Sequence, residues 1–162
     1  MSEAFALPVE ADAKLRLWRQ AKECVVFTNG VYDLLHRGHV EYLEEARALG
    51  DRLVVGVNGD ASVRRLKGPE RPILSQDDRA GLVAALACVD LVIVFDDDTP
   101  LRLIEVVQPD VLAKGADYAL EQIVGRELVE ARGGRVERIR LREGLSTSAL
   151  VERIRQGRSA LG

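Results

Sequence analysis

Thr28-Asn29-Gly30-Val31-Tyr32-Asp33-Leu34-Leu35-His36-Arg37-Gly38-His39 decides the reading of this chain, because it sets the only two histidines of 162 residues three apart around a glycine. The β-forming run Cys24-Val25-Val26-Phe27 precedes it, and Asn29-Gly30 reads as a short turn. From about His39 onward, Val40, Leu43, Ala46 and Leu49 recur at helical spacing. A strand, a loop and a helix N-terminus therefore follow one another. Free backbone N–H groups and the positive end of the helix dipole converge at such a place, so it favours a phosphate before any side chain is counted. Imidazoles at i and i+3 can face the same phosphate, and Gly38 offers no side chain to block a nucleotide lying over the helix start. A helix-capping pair and two metal ligands are the plain alternatives. Zinc on a helix usually takes an H-E-x-x-H spacing or added cysteine and carboxylate ligands, which are missing nearby, so phosphate contact is the preferred reading and no metal site is expected.

Outward from this segment, the apolar runs 53–57, 91–95, 111–113 and a weaker 136–141 read as strands. Helical patterns at 11–22, 61–66, 77–88, 101–107, 125–132 and 148–156 alternate with them. Nearly continuous apolar strands between helices predict an α/β domain, a doubly wound parallel five-stranded sheet covered on both faces. We divide the chain into a segment with a lead-in helix (1–22), the domain itself (23–157) and a short tail (158–162). Leu15, Leu17, Trp18 and Ala21 are available for packing on the lead-in helix, and the first twelve or so residues read as loose. Ligands of such sheets bind at the carboxyl ends of the strands. The segments 28–33, 58–60, 96–98, 114–118 and 144–148 each follow a strand, so every candidate motif falls on that one edge.

Net charge is −3 with both signs interspersed, so neither a nucleic acid nor a membrane surface is an expected partner. Cys24 and Cys88 sit far apart in apolar contexts and read as reduced core thiols. No signal-peptide pattern opens the chain, and no apolar run approaches the roughly 20 residues that span a bilayer. A cytoplasmic, soluble enzyme is expected.

The string TNGVYDLLHRGH carries the H-x-G-H signature and resembles the cytidylyltransferase-like branch of the nucleotidyltransferase superfamily. The segments ARALGDRLVVGVNGDASVRRLKGPERPI, DDRAGLVAALACVDLVIVFDDDTP, KGADY and EGLSTS extend the likeness to the bacterial D-glycero-β-D-manno-heptose 1-phosphate adenylyltransferases, over about 11–154. The resemblance implies a Rossmann-like nucleotidyltransferase fold and transfer of AMP from ATP to the sugar 1-phosphate, giving ADP-heptose and pyrophosphate. In many bacteria this unit follows a sugar kinase; the present length leaves no room for one, so a stand-alone form is expected. Magnesium should arrive chelated by the triphosphate. A homodimer is implied by the relatives and is also the commonest closed assembly.

Site residues follow by position. The resemblance makes His36, His39 and Lys67 catalytic, and puts the nucleotide on Thr28, Asn29, Gly30, Val31, His36, Gly38, His39, Lys114, Gly115, Asp117, Ser146 and Thr147. Asp33, Lys67 and Arg79 are assigned to the second substrate. Each has a plain rival. Lys67, before Gly68-Pro69, reads as a loop lysine that is either solvated or on a β/γ-phosphate. Arg79 opens a helix, where a cation opposes the dipole, so it holds either a substrate phosphate or a surface ion pair. Asp33 orients substrate hydroxyls or fixes its turn. Ser146-Thr147-Ser148 caps a helix, holds phosphate, or does both. Asp96-Asp97-Asp98 suggests a metal, but Thr99-Pro100 reads better as a helix start capped by Asp98 or Thr99.

Departures also matter. Glycerol-phosphate-type cytidylyltransferases carry Arg-Thr-Glu-Gly before the last helix, where this chain has Leu141-Arg142-Glu143-Gly144, and Ala87 replaces another of their arginines. Both changes favour ATP over CTP. Val31 and Tyr32 replace a Cys-Phe pair frequent in the heptose enzymes. A cytidylyltransferase acting on glycerol 3-phosphate and a non-catalytic nucleotide-binding module remain as rivals; an aminoacyl-tRNA synthetase fragment is disfavoured by the missing K-M-S-K-S loop.

Overall fold

A computed structural model describes residues 5–157. The expected tail at 158–162 and the first four residues lie outside them. The helices are α1 (Val9–Gln20), α2 (Arg37–Arg47), α3 (Asp60–Lys67), α4 (Gln76–Ala84), α5 (Leu101–Val107), α6 (Arg126–Ala131) and α7 (Thr147–Arg155). The strands are β1 (Val25–Gly30), β2 (Arg52–Asn58), β3 (Leu91–Phe95), β4 (Val111–Gly115) and β5 (Arg135–Ile139), all parallel in the order β3-β2-β1-β4-β5. This is the doubly wound sheet expected. A 3₁₀ turn at Leu120–Gln122 has no counterpart in the sequence reading.

Alternation along the strands feeds two cores. Val25, Phe27, Val54, Ile93 and Leu112 pack one face against Leu15, Trp18, Leu103, Ile104 and Val129, whereas Val26, Val55, Val57, Val111 and Ala113 pack the other against Leu43, Ala46 and Val83. Helix α1 contributes Ala11, Leu15 and Trp18 to the first core and so is built into the domain. Leu17, by contrast, is 63% exposed, and Ala21 is exposed as the C-cap; the expected packing stripe was one residue too wide on each count.

Several boundaries move for identifiable reasons. Asn29 and Gly30 are not a turn but the end of β1, because they pair with Gly56 and Val57 of β2. Helix α2 starts at Arg37, with His36 as N-cap, rather than at His39. Helix α4 stops at Ala84, and the following segment is turned into β3 by Asp90, whose carboxylate accepts the Leu53 N–H (2.8 Å) and faces Arg47 and Arg52. The N-cap of α5 is Pro100, so neither Asp98 nor Thr99 caps it.

One feature of the pairing positions the site. β1 runs beside β2 over its whole length, yet it pairs with β4 only at Val26–Val111 and Phe27–Leu112. Beyond Phe27 the two strands splay. The sheet reverses its winding between β1 and β4, so a crevice opens where α/β sheets place their ligands.

A candidate nucleotide site at the splayed end of the sheet

The loop from β1 to α2 is held in an uncommon shape. Tyr32 and Leu34 adopt left-handed backbone conformations, φ 51° and 53°, on either side of Asp33. Asp33 is fully buried, and its carboxylate accepts the N–H groups of Ile73 (2.8 Å) and Leu74 (3.0 Å) and Arg71 Nε (2.9 Å). Burial pulls its pKa up, but the two amides and the guanidinium outweigh that and hold it below the usual carboxylate value. Asp33 borders the cleft described below, yet both of its carboxylate oxygens are engaged by protein donors. Of the two readings of Asp33, the geometry shows the second: it fixes the turn.

Arg79 is corrected more sharply. Its side chain is fully buried and donates to Leu74 O (3.1 Å), Val31 O (2.7 Å), Asn58 O (2.7 Å) and Asp60 Oδ1 (2.8 Å). It is neither a substrate ligand nor a surface ion pair, because a guanidinium surrounded by protein acceptors has no face left for either. Together, Asp33 and Arg79 staple segment 71–74 and the end of β2 beneath the β1–α2 loop.

On that platform the two imidazoles stack, ring centroids 3.8 Å apart and planes 19° from parallel. Gly38 makes room for them, since a Cβ there would stand 3.0 Å from His36 Cε1. The His36 N–H donates to His39 Nδ1 (3.3 Å), so a neutral His39 carries its proton on Nε2. The capping role considered for the pair is thus real, but it engages only one nitrogen of His39. Burial lowers the pKa of both rings, that of His39 to about 4 with His36 adding to the effect, so both are neutral at pH 7.

A cleft of about 630 Å³ opens over these rings. Of the predicted residues, Asn29, Gly30, Val31, His36, Gly38 and His39 line it from β1 and α2. Lys114, Gly115 and Asp117 line it from the end of β4, Ser146 and Thr147 from the start of α7, and Lys67 from α3. Thr28 does not line it: this residue is fully buried, and its hydroxyl is hydrogen-bonded to Tyr42 (2.7 Å). Lys67 is not on a loop but is the last residue of α3, which ends at Gly68 with φ 98°. Its side chain remains exposed at the cleft.

Lys114 bridges the gap between the splayed strands by donating to Asn29 Oδ1, and burial lowers its pKa to about 8. Ser146 caps α7 by accepting the Ala149 N–H (3.1 Å), and Thr147 Oγ1 donates to Asp33 O (2.6 Å), tying α7 to the histidine loop. Sequence reasoning missed Arg71, Tyr42 and Asn58, which also line the cleft. Arg71 stands directly before a proline, with no periodic or motif signal; only its partner Asp33, 38 residues away, marks it. Asp97 and Asp98 pair with Arg102 (3.2 Å) and Arg65 (2.7 Å).

A parallel sheet whose strands part at the winding reversal, with paired imidazoles at a helix mouth in the opening, defines a nucleotidyltransferase-type α/β domain. The Cytidylyltransferase-like family model matches residues 27–154, and the chain belongs to that family. It is 54% identical over 90% of its length to "Bifunctional protein HldE" of Syntrophotalea carbinolica and 58% identical over 91% to the protein of that name in Citrifermentans bemidjiense. The chain spans about a third of the length of these curated relatives (32% and 30%). Among solved structures it resembles a lipopolysaccharide core biosynthesis protein from Thermoplasma volcanium, with TM-score 0.60 and 31% identity, covering 74% of this chain and 97% of that one.

Proposed function

We propose that this chain is an adenylyltransferase that moves AMP from magnesium-bound ATP to D-glycero-β-D-manno-heptose 1-phosphate, releasing ADP-heptose and pyrophosphate. The observation that carries the reading is the stacked histidine pair, with His39 Nε2–H free at the N-terminus of α2 inside the cleft. An oxygen of the sugar phosphate attacks the α-phosphorus, the bond to the bridging oxygen breaks, and pyrophosphate leaves in line. The attacking oxygen already carries negative charge, so the step needs no general base. What it needs is hydrogen-bond donors where charge builds on the α-phosphate oxygens, and two neutral imidazoles beside a helix N-terminus supply them.

The base and ribose fit the half of the cleft under β4 and β5, where Ile123, Val124, Leu141 and Leu145 form an apolar wall beside Gly115 and Asp117. Lys114 and Asn29 lie beneath the sugar-phosphate junction, and the start of α7 takes the β- and γ-phosphates. Lys67 is the cation placed for the incoming phosphate. Magnesium comes with the nucleotide as part of the substrate. The heptose-type motifs and the high identity to proteins named HldE favour this reading over CTP and glycerol 3-phosphate. No described helix is long and apolar enough to cross a membrane, and our proposal includes a cytoplasmic homodimer.

Purified protein incubated with magnesium, ATP and the heptose 1-phosphate should yield pyrophosphate and a product with the mass of ADP-heptose. Transfer of CMP instead, or nucleotide binding without turnover, would overturn the proposal. Lys114 adds a pH signature. A lysine with pKa near 8 loses its charge above that pH, so kcat/KM for ATP should fall as pH rises through about 8. Lys114→Met should lower the plateau about tenfold, the worth of one charge-assisted hydrogen bond, and abolish that alkaline limb. An identical limb in the variant would assign the proton elsewhere.

A further inference from the structure

The cleft has a second half that the nucleotide does not explain. It lies at the carboxyl ends of β2 and β3 and is lined by Asn58, Leu66, Lys67, Asp98, Thr99 and Pro100. Asn58 is only 5% exposed, and its amide nitrogen donates to Ser62 Oγ (3.1 Å). Its backbone oxygen is held by Arg79, so what is left for the cleft is the side-chain oxygen and the second amide N–H. A nearly buried amide that lines a cleft with an acceptor and a donor to spare is suited to a ligand hydroxyl, which accepts and donates.

The neighbouring turn points the same way. Asp98 and Thr99 stand at the expected cap positions, yet α5 begins at Leu101 with Pro100 as its N-cap and no side-chain cap, so neither residue serves the helix. They are nevertheless held in place. Arg65 pairs with Asp98 (2.7 Å) and also donates to Asp96 O, Arg102 pairs with Asp97 (3.2 Å), and Ser62 Oγ reaches Asp97 O (3.3 Å). A braced carboxylate, a hydroxyl and an amide oxygen together offer acceptors at the rim and floor of one half-cleft. That set matches the hydroxyl groups of a sugar.

In-line displacement puts the acceptor on the side of the α-phosphate opposite the leaving pyrophosphate. With the base under β4 and β5 and pyrophosphate at α7, the acceptor's body is directed into the β2–β3 half. We propose that Asn58, Asp98 and Thr99 form the subsite that reads the hydroxyls of the acceptor sugar, its phosphate being held next to them by Lys67. This inference rests on the transferase reading above and names the residues that select its acceptor.

The test uses Asp98→Ala and Thr99→Val, both at exposed positions that cannot unfold the core, with Asn58→Ala beside them. KM for heptose 1-phosphate should rise about tenfold in each, as for the loss of one ligand hydrogen bond, while KM for ATP stays within twofold. Calorimetry of heptose 1-phosphate binding in the presence of a non-hydrolysable ATP analogue gives a readout independent of turnover. An unchanged acceptor KM in Asp98→Ala and Thr99→Val overturns the subsite and leaves the proposed activity standing. Wild-type protein that binds the heptose phosphate, loses that binding in the variants and yet transfers nothing overturns the activity and supports the subsite. Neither binding nor transfer overturns both.

Discussion

His36→Ala and His39→Ala should each lower turnover by about 10²–10³-fold, the usual cost of deleting one preorganised donor to a charged transition state. KM for ATP should change little, because the contact strengthens only as charge gathers on the α-phosphate. The two variants differ in one respect. His39 Nδ1 accepts the His36 amide at the first turn of α2, so its loss should also destabilise the protein by about 1 kcal/mol, in line with a lost helix cap. His36 Nδ1 is buried without a hydrogen-bond partner, so the His36 variant should melt close to the wild type. The double variant should be little worse than either single one, since groups that act on the same charge are not additive. Rates near normal in either single variant would remove the pair from the chemistry.

Arg79→Ala should destabilise the fold by about 3–5 kcal/mol, the range for breaking a buried ion pair by deleting one partner. The deletion strands Asp60 and withdraws the donor from the carbonyls of Val31, Asn58 and Leu74. With a urea dependence of about 2 kcal/mol/M, the unfolding midpoint should fall by on the order of 2 M. Arg79→Lys should rescue little, because an ammonium is a point charge and cannot reach four acceptors spread around a planar fork. An unmoved midpoint together with a raised KM for a phosphorylated substrate would restore the substrate-binding role that the sequence suggests for Arg79.

The contrast between these two predictions shows where sequence reasoning reaches and where it stops. His36 and His39 are three residues apart across one helix start, so their meeting is a property of local geometry and can be read directly. Ser146 as the cap of α7 is legible for the same reason. Local logic leaves Asp33 open between two roles and misplaces Arg79, since the partners that decide them lie as far as 38 to 41 and 48 residues away. A cation at a helix N-terminus looks misplaced only until the acceptors beneath it are known. Arg71 had no local signal at all, and Thr28 looked like a ligand residue until Tyr42 took its hydroxyl.

The chain's own order of apolar runs and breakers determined a parallel α/β domain with its functional loops on one edge, because strand and helix periods are short-range and repeat many times. Only the tertiary structure decided that β1 and β4 part after Phe27, that the cleft has two chemically distinct halves, and which charges face it. A charged side chain declares its role through the acceptors it meets, and those are brought to it by strand order, not by neighbours in sequence.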